Sequence, residues 1–399
     1  MHLRTVESYW LLQNGLMYSY PSLQQDMDCE IALIGGGITG ALISHALLNA
    51  GYEVTLFDRR DIGQGSSSAT TSMLQYEIDT QLLELSAMIG EDNAARAYHA
   101  GIEAIYTLEQ LVQEQGIDCD FERKQSLYLP HSKRAVNGLR EEYEIRQKHG
   151  LGVEWLDSTQ IEQTFGMKAE AGILSSVAAS IDAYRFAHEL LHKNTSRNLQ
   201  IFDQTDTAKF QTTAEGMEFK ANGHAVRAKQ VVFCSGFESL SLFKKDYAQV
   251  VSTFATVSEQ NIEMPSALQH TLFWDTGNPY IYGRTTADKR LLIGGEDVKW
   301  NGGGYRESMK ARKAAKLIKK LERLIPSLNF IEDFHWAGAF GITKDGLPFI
   351  GRQRDYPNAV FVLGFGGNGI TFSVQAMELV LHALNGRSHL LLDMYRFDR

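Results

Sequence analysis

The chain has 399 residues, of which 44% are hydrophobic and 22% are charged, and this balance excludes a wholly disordered protein. Its net charge of −9 argues against a general nucleic-acid binder, because phosphate binding needs a basic surface. The length exceeds what one compact core usually holds, so we expect two domains.

The cysteines and the N-terminal segment, residues 1–28, which we call the leader, restrict the possible classes of protein further. Cys29, Cys119 and Cys234 stand far apart, which excludes a disulfide scaffold and a cysteine-rich zinc site and favours a reducing, cytoplasmic location. Residues 1–28 lack the charged start and apolar run of a secretion signal. No apolar run is long enough to span a membrane. The leader is rich in Tyr, Trp and Leu, so we expect it to lie across the body of the protein.

A dinucleotide-binding pattern follows the leader. Residues 29–34 form an apolar run, typical of a buried parallel strand, that stops at Gly35-Gly36-Gly37-Ile38-Thr39-Gly40. Residues 38–50 have helical spacing, residues 53–57 predict a second strand, and Asp58 ends that strand. This order is the context that a GxGxxG motif requires for binding a dinucleotide. The alternative, a glycine turn that arose by chance, is the weaker interpretation.

Each residue of the motif has a predicted role. Gly35 permits the tight turn, Gly37 lets the backbone approach a pyrophosphate, and Gly40 lets helix and strand pack closely. The N–H groups at the helix start, around Ile38 and Thr39, are expected to meet the phosphates.

Asp58 is expected to accept hydrogen bonds from a ribose. An acid at this place argues against a 2′-phosphate, although Arg59 and Arg60 follow it. The next loop, residues 63–72, is rich in small and hydroxyl side chains. A nicotinamide cofactor does not need such a loop, whereas a flavin nucleotide gains donors from Gly65, Ser66, Ser67 and Thr70; the alternative is a flexible serine loop.

The remaining elements follow in chain order. Residues 81–150 look mainly helical, residues 151–165 contain a short strand and a helix start, and Ala183–His192 is a helix. Strands are predicted at 199–202, 208–211, 217–221 and 230–234, and residues 246–300 read as antiparallel sheet. An amphipathic helix at 306–325, a strand at 360–363 and a last helix at 371–384 complete the chain.

Two patterns offer rival functions. His188-Glu189-Leu190-Leu191-His192 matches the HExxH zinc motif, but the next histidine, His224, lies across predicted strands and no third ligand is apparent. We therefore predict no metal. The helix at 306–325 carries a basic stripe that is compatible with RNA or an acidic partner, although a solvated helix face is the simpler interpretation.

The motifs together resemble those of the D-amino-acid-oxidase-like superfamily of FAD enzymes, which includes glycine and sarcosine oxidases. Besides the glycine motif with Asp58 and the 65–72 loop, the likeness rests on three segments. These are Val231-Val232-Phe233-Cys234-Ser235-Gly236, Asp345-Gly346-Leu347-Pro348-Phe349-Ile350-Gly351 and Gly364-Phe365-Gly366-Gly367-Asn368-Gly369-Ile370-Thr371.

The resemblance implies a mixed α/β fold and further cofactor residues. The fold would combine a Rossmann-like FAD domain of the glutathione-reductase type with a smaller substrate domain that has an antiparallel sheet. Thr207 would meet the adenine, and Ser235 and Gly236 would flank the pyrophosphate. The other cofactor-site residues that the resemblance implies are Gly338, Gly346, Gly367, Asn368, Gly369, Ile370 and Thr371.

The resemblance also implies a domain division and a mode of FAD binding. The FAD domain would comprise residues 29–85, 152–245 and 337–399, and the substrate domain residues 86–151 and 246–336. No cysteine lies at residues 336–345, where sarcosine oxidases attach FAD, so FAD is expected to be non-covalent. The lysine that assists oxygen in those enzymes is absent from Leu291-Leu292-Ile293. The electron acceptor, O₂ or another, therefore stays open, as does the oligomeric state.

One departure bears on the substrate. Phe340 stands where amino-acid-using members carry an arginine that holds the substrate carboxylate. The pattern is more similar to γ-glutamylputrescine oxidases, which oxidise a primary amine. We therefore predict a small-molecule amine (or amino acid) as substrate, with hydride passing from its CH–NH bond to flavin N5 and the imine then hydrolysing.

The predicted substrate pocket has aromatic walls and polar grips. Tyr280 and Tyr282 share one side of a strand and would line an apolar amine pocket with Phe340 and Trp336, although core packing explains each aromatic residue equally well. Arg284 and Glu296 are candidates for holding a polar substrate tail. Two alternative functions remain: an FAD-dependent 2-hydroxy-acid or other CH–OH dehydrogenase, and a non-catalytic binding subunit.

Overall fold

The computed structural model describes residues 3–5, 7–299, 302–363 and 365–399. The helices are α1 (Tyr9–Asn14), α2 (Ile38–Asn49), α3 (Leu82–Ile89), α4 (Glu91–Gln115), α5 (Val136–Lys148), α6 (Ser158–Phe165), α7 (Ala183–Thr195), α8 (Ser266–Gln269), α9 (Gly303–Leu324), α10 (Gly369–Leu384) and α11 (Leu390–Tyr395). The strands are β1 (Met27–Ile34), β2 (Val54–Phe57), β3 (Met73–Gln75), β4 (Glu122–Leu129), β5 (Val153–Asp157), β6 (Ala171–Ser180), β7 (Gln200–Phe202), β8 (Thr207–Thr212), β9 (Met217–Ala221), β10 (His224–Phe233), β11 (Gln249–Ser258), β12 (Thr271–Asp275), β13 (Ile281–Thr285), β14 (Leu291–Lys299), β15 (Glu332–Ile342), β16 (Phe349–Gln353) and β17 (Tyr356–Leu363).

The first sheet is a mixed, mostly parallel sheet in the order β16-β17-β10-β1-β2-β7, with β9 paired to β10 and β8 paired to β9. Strands β10, β1, β2 and β7 run parallel to one another. The last four residues of β1 and all of β2 are buried, as expected for strands covered on both faces. Helix α2 returns the chain from β1 to β2 and packs against α7 and α10, so the predicted strand, turn, helix and strand are present.

The second sheet has the order β15-β11-β14-β13-β12-β4-β6-β3, with β5 paired to β6. Its neighbours are antiparallel except for β12 and β4. Helix α9 covers one face of this sheet because its apolar stripe, which includes Leu317 and Leu321, is fully buried. The predicted mixed α/β class is confirmed.

The sheets divide the chain differently from the predicted domain borders. Strands β3, β5 and β6 lie in segments assigned to the FAD domain, but they pair within the second sheet. Strand β15 runs across the border set at residue 337. The helical prediction for residues 81–150 missed β4, and β6 was not predicted. Both strands take their partners from distant segments, which local periodicity does not encode.

The leader lies against the body of the protein. The Tyr9 ring stacks on Trp336 with 6.2 Å between ring centroids. Trp10 Nε1 donates to the Thr70 carbonyl at 2.7 Å. Tyr18 stacks on His192 with 4.0 Å between centroids. The leader therefore holds both the hydroxyl-rich loop and helix α7.

The HExxH segment of α7 contacts this leader. His188 is fully buried beside Tyr184, and Glu189 Oε1 accepts the Tyr18 hydroxyl at 3.1 Å. Among the residues that the structure describes, no three His, Cys, Asp or Glu side chains form a group suited to a metal ion. Over the same residues, no helix combines the length and apolar character that crossing a bilayer requires.

Candidate cofactor and substrate site

A cavity of about 390 Å³ lies between the two sheets. The carboxyl ends of β1, β2 and β10 border it from the first sheet, as expected for ligand sites of open α/β sheets. Strands β11, β12, β13 and β15 contribute from the second sheet. The loop before α10 and the hydroxyl-rich loop complete the wall.

The glycine turn has no room for larger side chains. A Cβ at Gly35, whose φ is +109°, would lie 2.8 Å from the Cys234 carbonyl oxygen. A Cβ at Gly37 would lie 2.9 Å from Ser67 Oγ, and one at Gly40 only 2.0 Å from the Gly35 carbonyl oxygen. Gly35 and Gly37 border the cavity, whereas Gly40 lies behind it. A side chain larger than hydrogen would therefore collide with neighbouring atoms at all three positions.

Asp58 holds the glycine turn in place at the cavity. Its Oδ2 accepts the Gly36 N–H at 2.7 Å and its Oδ1 accepts the Arg60 N–H at 2.8 Å. Burial raises the pKa of Asp58 to about 6, against the opposing effect of these backbone donors. The carboxylate borders the cavity and retains acceptor capacity for a ribose hydroxyl.

The nucleotide end of the cavity, which we define by Asp58, Thr207, Ser235, Gly236 and Glu238, contains an ion cluster that the sequence did not indicate. Glu238 pairs with Arg59 and, at 3.0 Å, with Arg60. The three side chains join the end of β2 to the turn after β10. The motif ending at Gly236 was visible in the sequence, but the partner of the two arginines was not.

The hydroxyl-rich loop is ordered by contacts on both sides. Ser67 Oγ accepts the Ile38 N–H at 2.9 Å at the start of α2. Ser66 Oγ donates to the Ala339 carbonyl at 3.4 Å. The four predicted cofactor residues of this loop, Gly65, Ser66, Ser67 and Thr70, all border the cavity.

The closing loop, residues 365–369, forms the opposite wall with the start of α10. Asn368 Nδ2 donates to the Gln75 carbonyl at 3.2 Å and to the Glu77 carbonyl at 2.8 Å, which fixes the loop to β3 and the segment after it. The loop residues that border the cavity are Gly367, Asn368, Gly369 and Ile370. Thr39 and Gly338 also border it.

Two predicted cofactor residues stand behind this wall. Thr371 Oγ1 donates to the Asn368 carbonyl at 3.0 Å. Gly346, with φ +75°, packs against Thr80, whose Oγ1 would lie 2.7 Å from an added Cβ. Both residues support the loops that line the cavity.

The predicted aromatic wall is present in part. Tyr280 and Tyr282 border the cavity with 5.6 Å between their ring centroids, and Trp274 lies beside Tyr282 in the sheet register. We call this region, together with Asp79, the aromatic end. Phe340 borders the cavity on β15 and also packs against Phe237.

Trp336 does not line the cavity, contrary to the prediction. It is 1% exposed, and its Nε1 donates to the Ala69 carbonyl at 2.9 Å. Its ring packs against the leader. The leader therefore fills the space beside Trp336 in which the substrate was predicted to bind.

Arg284 and Glu296 were predicted to grip the substrate, but neither side chain borders the cavity. Arg284 is 2% exposed. Its Nε donates to the Thr71 carbonyl at 2.7 Å and its guanidinium lies 5.3 Å from the centroid of Trp10. It therefore joins the leader to the hydroxyl-rich loop.

Glu296 binds helix α9. Its carboxylate lies 2.8 Å from Lys320 Nζ and 3.1 Å from Lys313 Nζ. The physical reason is a bulge: the register of β11 against β14 shifts between Ser252 and Phe254, and a bulge breaks the alternation of side chains. Glu296, at φ +57°, consequently points to α9.

Three acids near the aromatic end belong to no motif, and no pattern in the sequence indicates their role. Asp79 and Glu77 border the cavity. Asp297 interacts with Tyr280, which it neighbours, and burial raises the pKa of Asp297 to about 6, with a further rise from the charge of Asp79. Only the fold places these acids together, since Asp297 comes from β14 and the other two follow β3.

The raised pKa of Asp297 predicts a pH-dependent stability. Between its ordinary pKa of 3.8 and the folded value of about 6, the folded protein keeps a proton that the unfolded chain releases. Rising pH in this window therefore lowers the free energy of unfolding. We expect Asp297→Asn to gain roughly 3 kcal/mol over the unmodified protein between pH 4 and pH 7, measured by urea unfolding at fixed FAD concentration. A difference that stays constant with pH would contradict this assignment.

Comparisons with known proteins agree with this geometry. Residues 30–380 match the sequence model of the family described as FAD dependent oxidoreductase. The γ-glutamylputrescine oxidoreductase of Escherichia coli strain K12 is 24% identical, over 98% of this chain and 90% of that protein.

Solved structures share the fold. The crystal structure of glycine oxidase from Geobacillus kaustophilus superposes with a TM-score of 0.74 at 19% identity, covering 91% of this chain and 96% of that one. An L-α-glycerophosphate oxidase from Mycoplasma pneumoniae with FAD bound gives a TM-score of 0.74 at 15% identity, covering 90% and 95%. The chain therefore belongs to the FAD dependent oxidoreductase family, and FAD is its cofactor.

Proposed function

We propose that the protein oxidises a CH–NH bond of an amine that carries no α-carboxylate, using non-covalently held FAD. One observation carries the proposal. Within the described residues, the only basic side chains that border the cavity are Arg59 and Arg60, and both lie at the nucleotide end beside Glu238. A substrate carboxylate therefore finds no guanidinium at the aromatic end, and Phe340, which also borders the cavity, stands where the resemblance implies an arginine.

The residues present fit FAD. The Gly35–Gly37 turn and the α2 N-terminus would hold the pyrophosphate, Asp58 a ribose, and Thr207 the adenine. The closing loop and the N-terminus of α10 would meet the pyrimidine edge of the flavin, where a positive helix end favours negative charge. Bound FAD supplies the hydride acceptor.

The aromatic end prepares the amine for oxidation. Hydride leaves a carbon next to a neutral nitrogen, so the pocket must disfavour ammonium at the reacting atom. The rings of Tyr280 and Tyr282 exclude water there, and desolvation disfavours the charged form of an amine. Burial raises the pKa of Tyr282 to about 12, so its hydroxyl stays protonated as a donor or acceptor. The imine product then hydrolyses to a carbonyl compound and ammonia or a smaller amine.

The relatives named above support the proposal and leave one alternative function open. A γ-glutamylputrescine oxidoreductase is similar over nearly the whole chain, and glycine oxidases also match. The fold likeness to an α-glycerophosphate oxidase leaves CH–OH oxidation as the second candidate. A phosphorylated substrate would, however, meet no basic side chain among the described residues of the aromatic end.

The test follows flavin bleaching without oxygen. FAD-loaded protein is mixed with primary amines, α-amino acids and 2-hydroxy acids of matched chain length. We expect amines to bleach the flavin fastest, and a repeat in air with peroxide detection identifies oxygen as acceptor or excludes it. Bleaching by hydroxy acids alone would establish the second candidate. A flavin that binds but is never bleached would favour a non-catalytic subunit.

Introducing an arginine at position 340 should change the substrate preference. We expect Phe340→Arg to raise the ratio of kcat/KM for α-amino acids to that for amines by about tenfold or more, because a bidentate guanidinium binds carboxylate strongly. Phe340→Leu is the control, since it changes the shape of the side chain without adding charge. An identical substrate profile in Phe340→Arg would remove Phe340 from the substrate site.

A further inference from the structure

The aromatic end contains a carboxylate that faces open space. Asp79 borders the cavity, and its Oδ2 accepts the Gly367 N–H at 2.8 Å. The carboxylate fits against two glycines, because a Cβ at Gly366 would lie 2.4 Å and one at Gly367 2.7 Å from its oxygens. A carboxylate has about four acceptor sites, and this backbone donor uses one of them.

No described lysine, arginine or histidine neutralises Asp79 by an ion pair, and the acids around it outnumber the bases. Glu77 Oε2 and Asp297 Oδ1 are buried with no hydrogen-bond partner in the described chain. Two cations act on this group, and each also pairs with another acid: Arg146 is shared between Glu77 and Glu142, and Lys313, which acts on Asp297, pairs with Glu296. The region therefore has an excess of negative charge, which a bound cation would offset.

Aromatic faces accompany the negative charge. Tyr280, Tyr282 and Trp274 border the same cavity as Asp79. The negative charges of Asp297 and Asp79 both raise the pKa of Tyr280, in addition to the larger effect of burial. A carboxylate is the partner that an alkylammonium group prefers in proteins, because the hydrogen bond between them is assisted by both charges. Anionic groups are disfavoured at the same place.

We propose that the substrate is an aliphatic diamine or polyamine, whose second, protonated amino group is anchored by Asp79 while the first is oxidised. The inference rests on the proposed function and names the substrate class of that same site. The two amino groups need opposite surroundings, because the reacting nitrogen must be neutral and the anchored one charged. The tyrosine faces provide the first surroundings and the carboxylate provides the second.

The experiment compares three compounds of equal length on FAD-loaded protein: 1,4-diaminobutane, n-butylamine and 4-aminobutanoate. We expect kcat/KM for the diamine to exceed that for butylamine by tenfold or more, and the amino acid to be poorest. Asp79→Asn keeps the acceptor for Gly367 and should lower the ratio of kcat/KM for the diamine to kcat/KM for butylamine at least tenfold. Asp79→Glu keeps the charge and should retain the diamine preference.

The matched control is Asp118→Asn, which removes the same charge from an exposed position and should change nothing. If Asp79→Asn lowers kcat/KM equally for the diamine and for butylamine, the proposal that Asp79 anchors the second amino group is wrong. Equal kcat/KM for the two compounds in the unmodified protein would also overturn it. If no amine bleaches the flavin, the proposed function fails, and calorimetric titration with the diamine still tests the anchor. Binding that is unchanged by Asp79→Asn would then overturn it.

Discussion

Gly40→Ala is expected to weaken the binding of FAD strongly. The added Cβ would lie 2.0 Å from the Gly35 carbonyl oxygen and 3.0 Å from its carbonyl carbon. Both atoms are backbone, so no flexible side chain can move away. Helix α2 must then shift from the turn, and overpacking of this kind costs roughly 3 kcal/mol.

The loss should appear in cofactor affinity before it appears in folding. The turn that Gly40 supports is the predicted pyrophosphate cradle, and a shift of α2 moves its N–H groups away from the phosphates. If about 3 kcal/mol is lost from binding, Kd for FAD rises roughly a hundredfold. Titration of apoprotein with FAD, followed by quenching of flavin fluorescence, measures this change.

Gly138→Ala is the matched control. Gly138 lies exposed on α5 with nothing within 4 Å of an added Cβ, so alanine should be neutral or slightly stabilising there. FAD affinity that is equal in the two alanine variants would mean that α2 yields without moving the turn. The prediction that Gly40 sets the position of the pyrophosphate cradle would then be wrong.

The nucleotide half of the site could be predicted because it is encoded locally. The glycine turn, the helix and Asp58 lie within one unit of strand, helix and strand, where each residue's role depends on near neighbours. The later motifs were placed by their order along the chain. Their glycines keep positive φ angles at Gly346 and Gly366, where a side chain would also collide with Thr80 or Asp79.

The substrate half could not be predicted, because it depends on register and on distant pairing. The bulge in β14 sends Glu296 to helix α9 and Asp297 toward Tyr280, and no local pattern in the sequence marks it. Asp79 and Glu77 follow a three-residue strand, β3, whose partner β6 comes about a hundred residues later. Arg284 was predicted to hold a substrate tail because the sequence does not show that the leader packs against this side chain.

A second substitution tests how the aromatic end is held. Arg146 is completely buried; its Nε donates to Glu142 Oε1 at 2.7 Å and its Nη1 lies 3.6 Å from Glu77 Oε1. Glu142 in turn accepts the N–H groups of Leu82 and Leu83, both at 2.9 Å. One guanidinium therefore balances two buried carboxylates and fixes the start of α3.

We expect Arg146→Met to lower the free energy of unfolding by about 3–5 kcal/mol, because removing one partner of a buried ion pair leaves uncompensated charge. Urea unfolding monitored by far-UV circular dichroism measures the change. The control is Arg140→Ala on the same helix, whose ion pair with Glu144 is half exposed and should contribute under about 1 kcal/mol.

The substitution Arg146→Met should also affect the cofactor site, because Glu77 contacts the closing loop. Its carbonyl accepts Asn368 Nδ2 at 2.8 Å, so a displaced Glu77 would loosen the closing loop and weaken FAD binding as well as the fold. Adding Glu142→Gln to Arg146→Met should recover part of the stability, since one of the two stranded charges is then gone. A loss below 1 kcal/mol in Arg146→Met would contradict this account. It would mean that Glu77, whose pKa burial raises, takes up a proton once the guanidinium is removed, and that the aromatic end does not need Arg146 to tolerate its acids.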